Sequence, residues 1–362
     1  MPNNNFEPRI ADQSIGYFSE KITDLSTDDA TPYLDLIHKW DLQKKNPKLE
    51  ISEPVKPITF WLENTTPIKF RDYITEGLLA WNEAFLKAGI KNAIEVKVQP
   101  DDATWDAGDI RYNVLRWTSS PNAPFGGYGP SFVNPRTGEI IGADIMLEWV
   151  YATNRLTIND IFNASHGSLD CSIGNLMQEG NMMSYLTSSD KEDPEILKQS
   201  IIRLTLHEVG HTLGLNHNFK ASFLHDSKEV HNKELTQKVG LTGSVMEYPA
   251  VNLAPLGVEQ GDYYDTRTGP YDLWAIEFGY KPQLTAQQRK SLLSKSNLHK
   301  HMFANDSEDM RSPGKGIDPR AMINDLSSEP IIYAEQRIEL VNETIFNLPS
   351  TLSGKVSSWE EY

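Results

Sequence analysis

Three histidines and one glutamate lie close together in the stretch LTLHEVGHTLGLNHNF, residues 204–219. On a helix, residues four apart project from the same face, so His207 and His211 can share one metal ion. Gly214 can adopt the left-handed conformation that ends a helix, which would return His217 as a third ligand from outside it. Three neutral imidazoles with an open fourth position are typical of a catalytic zinc site.

Glu208 follows His207 directly and would point beside the metal instead of at it. This is the position of a general base that takes a proton from a metal-activated water. The pattern therefore predicts one zinc ion on the three histidines and hydrolysis assisted by Glu208.

Chance is the competing explanation. With nine histidines in the chain, a bare HExxH pattern arises in about one percent of such sequences, and Gly214 and His217 lower that by roughly a further thousandfold. Two histidines and a glutamate in an otherwise apolar helix would also carry a large desolvation cost without a metal. One alternative is a degenerate site that keeps these residues without the metal. A carboxylate third ligand, Glu179 or Glu247, as in thermolysin-type enzymes, is disfavoured because that class lacks the glycine and histidine that follow the helix here.

The amino-acid composition limits the kinds of partner and site that this protein is expected to have. The 362 residues include 34 basic and 50 acidic side chains, a formal net charge of -16, which disfavours nucleic acid as a partner. Every apolar run is shorter than the ~18 residues of a membrane span, and the N-terminal MPNNNFEPRI has no signal-peptide pattern. A single cysteine, Cys171, excludes an internal disulfide and a cysteine-based zinc cluster.

The elements that must position the site alternate between strands and helices. Short candidate strands, IGYF and YLDLIHKW, lie in a polar segment before residue 56. A helix is predicted over FRDYITEGLLAWNEAFLKAG, ending at Gly89, and strands over ITFWLE, IEVKV, IRYNVLRW and IGADIMLEW. One helix among several strands, followed by further helices, predicts a mixed sheet with helices packed on it.

His207 and His211 lie near the end of a second helix, which is predicted to begin after Asp193 as N-cap and to end at Gly214. It has apolar residues on two sides, which indicates a buried, central element. Two more helices are predicted over LTAQQRKSLLSK and PIIYAEQRIELVNETIF. Four further histidines lie in a polar loop or after a helix and are expected to be solvated: His225, His231, His299 and His301.

The motif HExxHxxGxxH resembles the signature of the metzincin clan of zinc endopeptidases. This resemblance implies a tight Met-turn beneath the metal, and GSVMEYP fits it with Met246 as the turn methionine. It also implies that Tyr248 stabilises the tetrahedral intermediate, as in astacin-like and serralysin-like members. Ordinary core packing of Met246 and a structural role of Tyr248 are the alternatives.

Further stretches, among them GPSFVNPRTGEIIGADI and GPYDLWAIEFGY, are similar to large metzincin proteases of Bacteroidota and, distantly, to the protease subunit of an AB5-type enterotoxin. The resemblance implies an α+β fold with a mixed, mostly parallel twisted sheet, an active-site helix and a Met-turn. Its implied divisions are a wrapping segment (1–55), a zinc protease domain (56–282, with an insertion at 151–192) and a C-terminal helical extension (283–362). It also implies a secreted, periplasmic or cell-envelope bacterial protein. Asn218, after the third histidine, matches none of the well-known subfamilies.

The function expected from these features is a zinc-dependent metalloendopeptidase, a hydrolase of protein or peptide substrates with Glu208 as base. The resemblance implies an extended substrate along an edge strand, for which GGYGPSFV is the candidate through Gly127, Gly129 and Ser131. The alternative is a catalytically inactive metzincin-fold binding or scaffold module. Calcium is unsupported, since the acidic loop DDATWDAGD lacks the ligand alternation of a calcium loop.

Overall fold

The computed structural model describes residues 5–120, 126–148, 194–311, 316 and 318–352. The insertion predicted at 151–192, with Cys171 and Glu179, therefore lies outside the described residues. Among the helices of the described part, none is both long and apolar enough to cross a bilayer.

Within the described residues the chain forms ten strands and six α-helices. The strands are β1 (Ser19–Thr23), β2 (Tyr33–Ile37), β3 (Lys39–Trp40), β4 (Ile58–Leu62), β5 (Ile94–Val98), β6 (Asn113–Thr118), β7 (Gly127–Tyr128), β8 (Ser131–Val133), β9 (Glu139–Ala143) and β10 (Ile145–Glu148). The α-helices are α1 (Ile68–Lys87), α2 (Pro194–Thr212), α3 (Lys233–Val239), α4 (Pro270–Tyr280), α5 (Ala286–Leu293) and α6 (Pro330–Leu352).

A five-stranded sheet in the order β5-β4-β6-β10-β7 lies at the centre of the fold. Its first four strands are parallel, and β7 runs antiparallel to β10 at one edge. The mixed, mostly parallel sheet expected from the resemblance is thus confirmed. In β4, the buried Ile58, Phe60 and Leu62 alternate with the partly exposed Thr59 and Trp61, so one face of the sheet is turned to the core.

Two smaller sheets flank the central one. β1 and β2 form an antiparallel pair. β9 pairs in parallel with β3 and antiparallel with β8. The segment before residue 56 therefore contributes strands to two sheets.

Helices α1 and α2 pack against each other and carry much of the core. A Cβ atom on Gly77 of α1 would lie 2.8 Å from Cβ of Thr205 on α2, so the glycine permits this close approach. Both helices end as predicted, at glycines in the left-handed region: Gly89 has φ 86° and Gly214 has φ 95°.

One hydrophobic core connects all three segments that the resemblance implied. It includes Ile15 from the first, Trp81 and Leu206 from the second, and Leu292 from the third. α5 begins at a capping box, in which Thr285 accepts a hydrogen bond from the backbone N–H of Gln288. The predicted helices after residue 282 are confirmed as α5 and α6.

Four predicted strands differ from the structure. YLDLIHKW is divided at His38 into β2 and β3, which belong to different sheets. IGYF forms only an isolated bridge between Tyr17 and Leu215, and β1 begins at Ser19. The run 141–149 is interrupted at Asp144, whose carboxylate accepts a hydrogen bond from the N–H of Val114 at 3.1 Å. As a result, β9 and β10 belong to different sheets.

The candidate substrate strand, residues 126–133, is also divided. Pro130 has no N–H and cannot continue a ladder, and the chain leaves the central sheet there. Gly127 lies in β7 at the edge of the central sheet, whereas Ser131 lies in β8, paired with β9. The expectation of one continuous strand was therefore wrong.

Candidate metal centre

The three histidines of the motif converge as the sequence predicts. His207 and His211 lie in the last turns of α2, and His217 returns after Gly214. One ligand atom from each histidine lies within 4.8 Å of the others, close enough to be drawn onto a single ion. His207 is buried, and the other two are partly exposed, so the site is accessible from one side.

Each imidazole is oriented by an acceptor at its Nδ1 atom. His207 Nδ1–H donates to the Val245 carbonyl oxygen at 2.8 Å, and His211 Nδ1–H donates to that of Leu215 at 2.9 Å. His217 Nδ1 lies 2.7 Å from Oδ1 of Asp306. Because these partners only accept, the proton of each neutral ring lies on Nδ1 and each Nε2 can serve as a metal ligand.

Asp306 is a functional candidate that the sequence analysis missed. It lies in a short 3-10 turn, residues 306–308, and is 89 positions from His217 in the chain. Burial alone would raise the pKa of Asp306, but the hydrogen bond and charge of His217 outweigh it and hold that pKa below its ordinary value. No sequence spacing would have identified this pair.

His207 and His211 are held in the neutral form that binds metal. Burial, reinforced by the neighbouring His217, lowers the pKa of His211 to about 3. Burial and the neighbouring His211 likewise hold the pKa of His207 well below its usual range. His207 Nε2 is buried and has no hydrogen-bond partner, which is costly unless a ligand completes it. The donor set therefore fits a zinc ion.

Glu208 lies beside the triad and is 1 % exposed. A Cβ atom on Gly127 would approach Oε1 of Glu208 more closely than van der Waals contact allows, and one on Gly129 would lie 2.6 Å from its backbone oxygen. These glycines let β7 approach α2. We expected their open space to receive a substrate backbone, but at Gly127 the Glu208 carboxylate lies there instead.

The segment GSVMEYP passes beneath α2 at the metal site. Met246 is fully buried, and its Sδ atom lies against Gly210 so closely that no side chain could fit there. The backbone N–H of Asn218, next to the third histidine, donates to the Met246 carbonyl oxygen at 3.0 Å. This segment therefore contacts both helix α2 and the segment that returns the third histidine.

Asp272 of α4 fixes the same segment from the other side. Its carboxylate accepts hydrogen bonds from the Ser244 hydroxyl at 2.5 Å and from the Val245 N–H at 2.9 Å. Burial raises the pKa of Asp272 to about 7. The Val245 carbonyl oxygen accepts the hydrogen bond from His207 Nδ1–H. Helix α4 therefore helps to orient His207 through Asp272 and Val245.

The Tyr248 hydroxyl lies 2.6 Å from His217 Nε2, at the open side of the triad. Phe219 packs against the other side of His217, with its ring centroid at 5.2 Å and nearly parallel. The Tyr248 hydroxyl therefore lies beside the atom with which His217 would bind a metal. From there it could also reach a substrate atom bound to that metal.

Glu247, the alternative carboxylate ligand, lies in a separate buried cluster. It accepts hydrogen bonds from the backbone N–H groups of Ser222 and Tyr248. The Ser222 hydroxyl donates to Asp325 at 3.2 Å. Burial and the nearby Asp325 raise the pKa of Glu247 well above its usual range, and burial raises that of Asp325 to about 7.

Replacing Asp325 with asparagine is expected to stabilise the protein more at pH 8 than at pH 5. A carboxyl group ionises near pH 4 in the unfolded chain, whereas Asp325 in the folded chain keeps its proton to about pH 7. Between these values the folded state binds more protons, so the wild-type free energy of unfolding falls as the pH rises. Asparagine cannot ionise and removes that loss. Thermal melting of both proteins at the two pH values measures the difference.

Asp28→Asn is the matched control, because Asp28 is exposed and its replacement should change the melting temperature little at either pH. An Asp325→Asn effect of equal size at pH 5 and pH 8 would contradict the pH dependence.

Two of the histidines predicted to be solvated are buried, whereas His299 is exposed as predicted. His225 and His301 are 5 % and 6 % exposed. His225 Nε2 bonds the Gly240 carbonyl oxygen, and the His301 ring stacks on Trp274 at 4.6 Å. Burial lowers the pKa of His301. In the described part of the chain, the triad is the group of three such side chains that converges on one point.

Comparison with known proteins agrees with this geometry. Residues 189–361, which include the whole motif, match the family model described as Met-zincin. This match and the placement of the three histidines support a metzincin-type protein.

A solved structure, the GM1-bound form of the ECX AB5 holotoxin, is also similar, with 12% identity and a TM-score of 0.26. The match covers 58% of this chain and spans 64% of the toxin chain. No curated protein matches the sequence.

Proposed function

We propose that this protein is a zinc-dependent endopeptidase. The observation that supports it best is the triad, in which one ligand atom from each histidine converges while the Nδ1 atoms are fixed by Val245, Leu215 and Asp306. A structural zinc site would be closed by a fourth protein ligand. Here the side of His211 and His217 is open to solvent, as a hydrolytic site requires.

His207, His211 and His217 would hold the ion. Zinc bound there would lower the pKa of a water toward neutrality and polarise the scissile carbonyl. Glu208, buried beside the ligands, would accept the proton at its carboxylate and return it to the leaving amine. Tyr248 would donate its O–H to the carbonyl oxygen as negative charge develops there.

The substrate would lie extended along β7, the antiparallel edge strand next to α2. Main-chain hydrogen bonds to this edge would keep the peptide in register. Met246 would support the metal site from beneath as a Met-turn residue. The resemblance to bacterial metzincin proteases further leads us to propose a secreted, periplasmic or cell-envelope location, which cell fractionation would test.

Metal removal tests the proposal directly. Zinc content is measured in the purified protein, and hydrolysis of unfolded casein is followed before and after treatment with a phenanthroline chelator. We expect about one zinc per chain, loss of hydrolysis with the chelator, and recovery when zinc is added back. A non-chelating phenanthroline isomer is the matched control and should leave the rate unchanged.

Two results would contradict the endopeptidase. Hydrolysis that persists after the zinc has been removed would exclude the mechanism. Protein that binds zinc but cleaves neither casein nor unfolded peptides would instead favour the inactive binding module.

A further inference from the structure

The segment Gly16–Phe18 runs beside the turn that returns the third histidine to the site. The N–H of Phe18 donates to the Gly214 carbonyl oxygen at 2.8 Å, and the N–H of Asn216 donates to that of Gly16 at 3.2 Å. Tyr17 and Leu215 form the bridge between them. This part of the N-terminal segment is therefore built into the edge of the metal site.

The segment is held firmly on its other side as well. The Tyr17 hydroxyl donates to the Ala275 carbonyl oxygen, and the Tyr271 hydroxyl accepts from the N–H of Gly16, both at 2.8 Å. Tyr17 is 7 % exposed and belongs to the main core. With Gly16 and Tyr17 anchored to α4 and its own N–H bonded to Gly214, the backbone of Phe18 has a fixed position.

The side chain of Phe18 is exposed next to a metal ligand. Its ring lies 5.8 Å from the ring of His211, yet it is 42 % exposed. The ring of His38 lies 6.2 Å from that of Phe18, and His38 Nε2 is hydrogen-bonded to Oε1 of Glu20 at 3.2 Å. An aromatic ring left open to water beside a reactive centre is characteristic of binding sites, where a ligand covers it.

We propose that Phe18 forms one wall of the substrate cleft and contacts a large apolar side chain of the peptide close to the scissile bond. The inference rests on the proposed endopeptidase function and adds a substrate class to it. The wall comes from the N-terminal segment, outside the motif and outside the edge strand. An acidic substrate side chain at this position is disfavoured, because Glu20 lies beside the wall and the chain carries a net charge of -16.

A peptide series tests the wall. The peptides are identical except at the residues flanking the cleaved bond, which are leucine or phenylalanine, alanine, or glutamate. Wild-type protein should cleave the apolar peptides best. Phe18→Ala should lower kcat/KM for them roughly tenfold while changing the alanine peptide little, since loss of apolar contact typically costs 10- to 200-fold. Phe18→Tyr keeps the ring and should retain the wild-type preference.

Leu25→Ala is the matched control, because Leu25 is also an exposed apolar residue of the N-terminal segment, at 92 %, and should have no effect. Zinc content and melting temperature are measured for every variant, so that a damaged metal site is recognised. Binding is measured separately, by fluorescence anisotropy of a labelled apolar peptide on Glu208→Gln protein with and without Phe18→Ala.

The outcomes separate the two proposals. Wild-type protein that cleaves no peptide would refute the endopeptidase, and the anisotropy measurement would still decide whether Phe18 contacts peptide. If wild-type protein cleaves but Phe18→Ala retains both the same preference and the same peptide affinity, the wall is refuted and the endopeptidase is not.

Discussion

Replacing Glu208 with glutamine is expected to abolish peptide hydrolysis while the zinc content stays unchanged. Glutamine has the same shape and fits the same buried position, but its amide cannot take up a proton. Loss of a general base lowers a rate by about 10²- to 10⁴-fold. Because the three histidines do not depend on Glu208 for their hydrogen bonds, the metal should remain. The rate of peptide hydrolysis and the zinc content together measure this.

Glu234→Gln is the matched control, since Glu234 is an exposed glutamate in the first turn of α3. Its replacement should leave the rate and the melting temperature unchanged. A Glu208→Gln protein that binds zinc and cleaves at the wild-type rate would remove Glu208 from the mechanism. Loss of zinc together with activity would show that Glu208 acts on the metal site itself.

The second large effect is expected at a position with no side chain. In Gly127→Ala, the new methyl group would occupy the space of the Glu208 carboxylate. The end of a glutamate side chain can move at little cost to folding, so the melting temperature should change little. The carboxylate would however be displaced from the site, and a shift of about 1 Å in a catalytic group can cost on the order of 10²-fold. We therefore expect kcat to fall by about that factor, with zinc retained.

Gly108→Ala provides the control, because Gly108 is an exposed turn glycine whose added methyl group would meet only the Asp106 side chain, at 3.1 Å. Its activity should equal that of the wild type. An unchanged kcat in Gly127→Ala would mean that the Glu208 carboxylate is not needed where the structure places it. A large drop in melting temperature would instead assign Gly127 to the packing of β7.

The sequence identified the parts of the site that are close together in the chain. The positions of His207 and His211 follow from helical periodicity. Gly214 marks the end of the helix because glycine adopts the required φ of 95° without the steric cost that other residues would have. The spacing to His217 is equally local. Periodic apolar patterns also identified α1 and most strands of the central sheet. Helix α2 was identified by its terminal residues and by its apolar residues on two sides.

Contacts between residues that are far apart in the sequence could not be predicted from local patterns. The partnership of His217 with Asp306, and of Phe18 with Gly214, depends on how the whole chain packs. The division of residues 126–133 into two strands depends on which sheet each half joins, although Pro130 was a visible signal for the break. The Gly127 contact with Glu208 required the relative position of β7 and α2, which no local pattern specifies.

The hydrogen bond from His217 to Asp306 has a consequence for the part of the chain that follows α5. Because Asp306 orients His217, the order of the turn 306–308 and the binding of an ion at His217 are thermodynamically coupled. The coupling is reciprocal: if the ordered turn favours metal binding, a bound ion stabilises the ordered turn by the same free energy. Binding of zinc should therefore protect this turn from local unfolding. A substitution that destabilises the turn should lower the affinity for zinc by the same factor.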